Sequence, residues 1–148
     1  MLEKGEQMLK NTYYHVSNNK KLTHLTPKIP ENAVEGFEEL ETKRVCVAES
    51  VENCLRAIMP ADNEKLYVYQ VISNKKPYKP FIYQVTDCKE TGEFWFLENV
   101  KVRLVGKIKI ITEISKKEVK NYKKRSGFWV RDYSYEWLEG GQRYENVN

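Results

Sequence analysis

The segment Arg44-Val-Cys-Val-Ala-Glu-Ser-Val-Glu-Asn-Cys-Leu-Arg-Ala57 decides the fold, because a strand pattern runs directly into a helix pattern within it. Residues 44–48 are mostly β-branched and small apolar residues, which is typical of a buried strand. Ser50 is a favourable helix N-cap, since its hydroxyl can accept a hydrogen bond from an amide of the first turn. The chain is therefore expected to pass from a sheet into a helix without a linker.

The helix predicted after Ser50 is amphipathic and short. Its apolar residues recur at the spacing of one helical face, and Pro60 ends the pattern. Those apolar residues are Val51, Cys54, Leu55 and Ile58. We expect Cys54, Leu55 and Ile58 to lie in the core.

The rest of the chain is dominated by strand patterns. Lys65–Ile72 has the clearest one, with tyrosines and valines suited to a half-buried pleated surface. Further strands are predicted over residues 12–17, 81–85, 93–97, 100–114 with an interruption near Gly106, and 127–135. The predicted class is α+β, with a strongly twisted, mostly antiparallel split sheet or barrel and one or two short helices.

Length and composition suit one domain over residues 1–148, in which residues 1–10 form a short helix or a loose N-terminal segment. A hydrophobic content of 41% excludes a disordered chain. No apolar run reaches the ~20 residues that span a bilayer, so no membrane partner is expected. The first residues lack an apolar signal region, which predicts a cytoplasmic location.

The cysteines indicate neither a disulfide framework nor a zinc site. Cys46, Cys54 and Cys88 are an odd number and contain no Cys-x-x-Cys spacing, and the chain has only two histidines. We expect Cys46 and Cys54 to be small core residues.

The positive charge is concentrated in the last third of the chain. The net charge is +4, yet residues 101–148 hold twelve Lys or Arg against six Asp or Glu. The densest stretch, residues 116–125, surrounds Tyr122 with lysines. This segment is either a solvated loop between strands or a surface that contacts nucleic acid.

The order of the motifs resembles the ADP-ribosyltransferase fold, and the small rifampin ADP-ribosyltransferases in particular. In that family a His-Gly-Thr segment ends the first strand, and its histidine holds the adenosine-side ribose of NAD. Tyr14-His15-Val16-Ser17 stands at that place here, with Val16 instead of glycine. The resemblance implies that His15 and Ser17 bind the cofactor.

Two further family elements concern the nicotinamide end of NAD. The family's stacking aromatic residue is replaced by Cys46 or Val47, so Tyr67 and Tyr69 on the next strand are the candidates for that ring, unless they are packing residues. The family's acidic residue stabilises the positive charge that develops on the ribose as nicotinamide leaves. Glu93, in Thr91-Gly-Glu-Phe-Trp95, is the candidate for this catalytic role; the alternative is a solvent-facing residue of an edge strand.

Three functional hypotheses follow. The first is a protein that binds NAD or a related nucleotide and transfers ADP-ribose to a protein, nucleic-acid or small-molecule acceptor, with His15 and Glu93 in one cleft. The second is a non-catalytic binding module on the same fold, which the missing glycine and aromatic residue favour. The third is a nucleic-acid binder that uses residues 116–125. The motifs also resemble those of small phage or mobile-element products.

Overall fold

The computed structural model describes residues 12–30, 39–81, 84–85, 88–120 and 127–141, with the backbone alone at 90, 112–120 and 127–130. The predicted N-terminal segment 1–10 and residues 121–125 of the basic segment lie outside the described residues. The elements are β1 (Tyr14–Ser17), β2 (His24–Leu25), β3 (Val45–Ala48), α1 (Val51–Ile58), β4 (Lys65–Ile72), α2 (Cys88–Thr91), β5 (Glu93–Phe96), β6 (Val100–Lys120) and β7 (Gly127–Gly140).

The described strands form one open sheet. Its order is β2-β6-β4-β1-β3-β5, and β7 also pairs with β6. All of these named strand pairs are antiparallel. The predicted α+β class with a mostly antiparallel sheet is confirmed, and within the described residues the sheet does not close into a barrel.

The sheet opens between its central strands β1 and β3. β1 pairs with β4 along its whole length, from Tyr14↔Gln70 to Ser17↔Tyr67. In contrast, β1 and β3 share only the pair Tyr14↔Ala48. Because the two strands are antiparallel, the end of β1 and the beginning of β3 separate beyond that pair, and this gap positions the site described below.

The helix α1 begins and ends where its sequence predicts. The Ser50 hydroxyl accepts a hydrogen bond from the Asn53 amide at 3.1 Å, and the Met59 amide donates to the Leu55 carbonyl at 2.8 Å from a left-handed cap. The buried residues of the helix are Val51, Cys54 and Leu55. The prediction for Ile58 was wrong: its side chain is 38% exposed, because it belongs to the last helical turn, beyond which the chain turns away.

Apolar side chains pack on both faces of the sheet. On the face that α1 covers, the core contains Tyr14, Val16, Ala48, Val51, Cys54, Leu55, Leu66, Val68, Val105, Ile108, Ile110 and Tyr133. On the other face, a smaller cluster contains Val45, Val47, Phe96 and Val100. Alternate residues of β1 and β3 therefore have their side chains on opposite faces of the sheet, as the two-residue period of a strand requires.

The described residues of the stretch predicted as a strand over 81–85 belong to no named strand. Residues 82–83 lie outside the described residues, and the amides of Gln84 and Val85 both donate to the Phe81 carbonyl, at 2.8 and 3.0 Å. Tyr78 instead pairs with Trp95 of β5 through two backbone hydrogen bonds of 2.6 and 2.7 Å.

The strand β6 is longer and less interrupted than predicted. It continues through Gly106 as far as Lys120, where it pairs with Gly127 of β7. The expected interruption is a bulge, because Val68 pairs with Gly106 and Tyr69 with Leu104, which leaves Val105 as an extra residue. The first half of the basic segment, residues 116–120, is therefore strand rather than loop.

Candidate ligand cavity

A cavity of about 760 Å³ lies at the gap between β1 and β3. Its walls come from the end of β1, the segment that follows β1, the strand β3, the end of α1 and the beginning of β5. This volume falls within the roughly 300–1,000 Å³ that small-molecule and cofactor sites occupy. The cavity is therefore large enough to accommodate a small molecule or cofactor.

His15 bridges the gap beside the cavity. Its Nδ1 lies 3.2 Å from the carbonyl oxygen of Cys46 on β3. Because a carbonyl oxygen can only accept a hydrogen bond, Nδ1 must carry the proton, and Nε2 of the neutral ring keeps its lone pair. The side chain of His15 thus provides a contact between strands whose backbone ladder stops at Tyr14.

The surroundings of His15 keep its ring neutral at neutral pH. Burial lowers the pKa of the imidazole below its ordinary value, and the positive charge of Lys28 acts in the same direction. The hydrogen bond to Cys46 raises the pKa but does not offset the burial. A neutral ring that donates through Nδ1 can accept a hydrogen bond from a ligand through Nε2.

The lowered pKa of His15 predicts a pH-dependent stability. The unfolded chain, in which the histidine pKa is near 6.5, binds a proton more readily than the folded chain. The free energy of unfolding should therefore decrease as the pH falls below that value, until the lower pKa of the folded state is reached. Urea unfolding between pH 7.5 and 5 should show this decrease, and His15→Asn should flatten it. Equal pH slopes for the two proteins would contradict the assignment.

Glu93 is buried at the beginning of the edge strand β5. Its side chain is 8% exposed, and its Oε2 accepts hydrogen bonds from Trp95 Nε1 and, at 3.4 Å, from Cys46 Sγ. The alternative of a solvent-facing Glu93 is wrong. Gly92 makes the turn into β5 with a φ of 62°, and a Cβ there would lie 2.6 Å from the Asn53 side chain. The tight turn explains why glycine precedes the carboxylate.

His15 and Glu93 both line the cavity, but they approach it from different sides. Ala48 pairs with Tyr14 on one side and with Glu93 on the other, so these three residues share a face of the sheet. His15 follows Tyr14 in β1 and therefore starts from the opposite face. The two residues come from strands that β3 separates, and they meet the same cavity because the sheet is open there.

Ser17 lines the cavity, whereas the two candidate tyrosines do not. The Ser17 hydroxyl accepts a hydrogen bond from the Asn19 amide at 3.0 Å. Tyr69 is fully buried, and its hydroxyl is bonded to the backbone of Asn19 and Leu22, so it anchors the segment after β1. Tyr67 has the Lys107 ammonium 5.6 Å from its ring centre. Among the described residues that line the cavity, none is Phe, Tyr or Trp.

Arg44 is a cavity residue that the sequence motifs did not select. It is only 1% exposed, and its Nη1 donates to the carbonyls of Glu39 and Thr42 at 2.7 and 2.9 Å. Its guanidinium lies 4.3 Å from the ring centre of Trp95, in a cation–π contact. The sequence feature that could have selected Arg44 is the placement of an arginine directly before an apolar strand. A cation that is buried there needs hydrogen-bonding or aromatic partners.

The cysteines near the cavity are poor nucleophiles. Burial and the neighbouring Glu93 raise the pKa of the Cys46 thiol far above its ordinary value. Burial likewise raises the pKa of Cys54 to about 12, and its Sγ donates to the Tyr14 carbonyl at 3.3 Å. The thiolate is the reactive form, so neither cysteine is suited to covalent catalysis.

The part of the chain that the structure describes was compared with two kinds of feature, a metal-ligand group and a membrane-spanning helix. There, no three His, Cys, Asp or Glu side chains are grouped as metal ligands. The same residues include no helix with the length and apolar character to cross a bilayer.

Comparisons with models of protein families, with curated proteins and with solved structures find no match for this chain. The functional proposal therefore depends on the chemistry of the cavity and on the motifs of the sequence.

Proposed function

We propose that this protein binds NAD or a related nucleotide in the cavity between β1 and β3. The observation that carries the proposal is that His15, Ser17 and Glu93, which the motif order singles out, all line this one cavity. His15 and Glu93 are 78 positions apart in the sequence, and the open sheet brings both of them to this cavity. The volume of about 760 Å³ is also in the range of cofactor sites.

The cavity is lined by both apolar and polar residues, as nucleotide sites are. Apolar walls come from both faces of the sheet, and polar groups stand among them. The neutral side chains with polar atoms are Ser17, Asn18, Asn19, Thr26, Asn53 and Thr91. His15 adds an acceptor, Nε2, that suits a ribose hydroxyl, because its Nδ1 is already committed to Cys46.

Transfer of ADP-ribose to a protein, nucleic-acid or small-molecule acceptor is the second candidate function, and Glu93 favours it. A carboxylate in the cavity would stabilise the oxocarbenium-like state of a ribose that is losing nicotinamide. However, Glu93 Oε2 is held by Trp95 and Cys46, and no described aromatic ring is present to stack on nicotinamide. We therefore propose first that the protein binds the nucleotide without converting it.

Calorimetric titration with NAD tests the proposal. The protein should show saturable, one-to-one binding, and His15→Ala should weaken it about tenfold through the loss of one buried hydrogen bond. His24→Ala is the matched control, because His24 is exposed on β2 and does not line the cavity. The absence of any binding of millimolar NAD to the folded protein would refute the proposal. Release of nicotinamide, measured by chromatography, would separate a transferase from a binding module.

A further inference from the structure

Two cationic residues of the cavity lie directly opposite each other. Lys28 and Arg44 form an antiparallel bridge, in which the Lys28 amide donates to the Arg44 carbonyl at 3.1 Å and the Arg44 amide donates to the Lys28 carbonyl at 3.0 Å. Directly opposed residues of an antiparallel pair share a face, with their Cβ atoms about 5 Å apart. Both residues also line the cavity. The backbone therefore places two positively charged residues beside one another in the lining of the cavity.

The two cationic residues differ in how tightly they are held. Arg44 cannot move away, because the carbonyls of Glu39 and Thr42 and the ring of Trp95 hold its guanidinium. Lys28, in contrast, is exposed. An anion that enters the cavity beside Lys28 would be attracted by its ammonium.

Two carboxylates, Glu64 and Glu93, also line the cavity. Glu93 Oε2 is directed at Trp95 and Cys46. Neither carboxylate makes an ion pair with Lys28 among the described residues. The Lys28 ammonium thus remains available to a ligand that enters the cavity.

We propose that Lys28, set opposite the fixed Arg44, forms an anion subsite that holds the phosphate groups of the ligand in this cavity. The inference deepens the proposed function and depends on it for the identity of the ligand as a nucleotide. The claim about Lys28 itself is narrower: its ammonium binds phosphate oxygens, as lysines do in other phosphate sites. Inorganic pyrophosphate tests this claim, because it contains the diphosphate unit of NAD and nothing else.

The test combines calorimetry with two-dimensional amide NMR at constant ionic strength, because exposed charges are screened by salt. Pyrophosphate should bind and shift the amide signals of Lys28 and Arg44. Lys28→Gln should weaken pyrophosphate and NAD binding about tenfold, the value expected when one charge-assisted hydrogen bond is lost. Lys28→Glu should abolish pyrophosphate binding. Lys65→Gln is the matched control, since Lys65 is an exposed lysine of β4 that does not line the cavity.

The outcomes separate this inference from the nucleotide proposal. Pyrophosphate binding that depends on Lys28, without binding of NAD, would support the anion subsite and refute the nucleotide ligand. NAD binding of equal strength to the unsubstituted protein and to Lys28→Gln, with the Lys28 and Arg44 signals unchanged by pyrophosphate, would overturn the subsite and leave the nucleotide proposal standing. Failure of both ligands to bind would overturn both.

Discussion

Replacing Leu55 with alanine is expected to lower the free energy of unfolding by about 2–5 kcal/mol, the range for large-to-small substitutions in a packed core. Leu55 has 0% exposure and lies at the centre of the contact between α1 and the sheet. Removal of its side chain leaves a void that the rigid sheet below cannot fill. Urea denaturation monitored by tryptophan fluorescence gives the measurement.

Ile58→Ala on the same helix is the control for Leu55→Ala. Ile58 is 38% exposed, so its truncation should cost less than about 1 kcal/mol. Equal losses from the two substitutions would mean that α1 does not pack through the face observed here.

The substitution Gly106→Ala is expected to cost about 3 kcal/mol, near the upper end of the usual penalty for overpacking. A Cβ at Gly106 would lie 2.4 Å from the carbonyl oxygen of Glu139 and 2.6 Å from the Trp137 ring. The first of these atoms is backbone of the paired strand β7, so neither a rotamer change nor a small shift relieves the contact.

Thermal unfolding of Gly106→Ala beside Lys107→Ala checks this prediction. Lys107 is the next residue of β6 and is partly exposed, so its truncation should change the melting temperature little. If Gly106→Ala is as stable as the unsubstituted protein, β6 and β7 do not approach each other as closely as the structure places them.

The elements that were predicted well are those whose signals are local. The hydroxyl of Ser50 and the apolar spacing that follows it are sufficient to begin α1, and the alternation over Lys65–Ile72 reproduces the bounds of β4. Each of these signals acts within one or two turns of chain, so no knowledge of the neighbouring elements is needed.

The elements that were predicted poorly depend on distant partners. Residues 81–85 have a strand-like composition, yet it is Tyr78 that pairs with β5, through Trp95. Conversely, the charged residues 116–120 have the composition of a loop and yet are strand, because β7 supplies their backbone hydrogen bonds. In both cases the pairing between segments, and not the local sequence pattern, determined the secondary structure.

The residues of the cavity also separate into those that the sequence could predict and those that it could not. Motif order was sufficient to select His15, Ser17 and Glu93, which line it. It could not select Lys28 and Arg44, since their juxtaposition arises from one isolated bridge between segments that are distant in sequence. Nor could it show that Tyr69 is used to anchor the segment after β1, because a strand pattern specifies alternation but not which structure covers each face.

The most direct test of the cavity as a nucleotide site is an NMR titration of the labelled protein with NAD. The imidazole signals of His15 and the amide signal of Glu93 should shift together and saturate at one equivalent, because both residues line the cavity at the gap between β1 and β3. Signals of Tyr67 and of the strands β6 and β7 should stay unchanged. Saturable shifts confined to β6 and β7, with His15 and Glu93 unaffected, would contradict the assignment of the cavity and would place the ligand on β6 and β7.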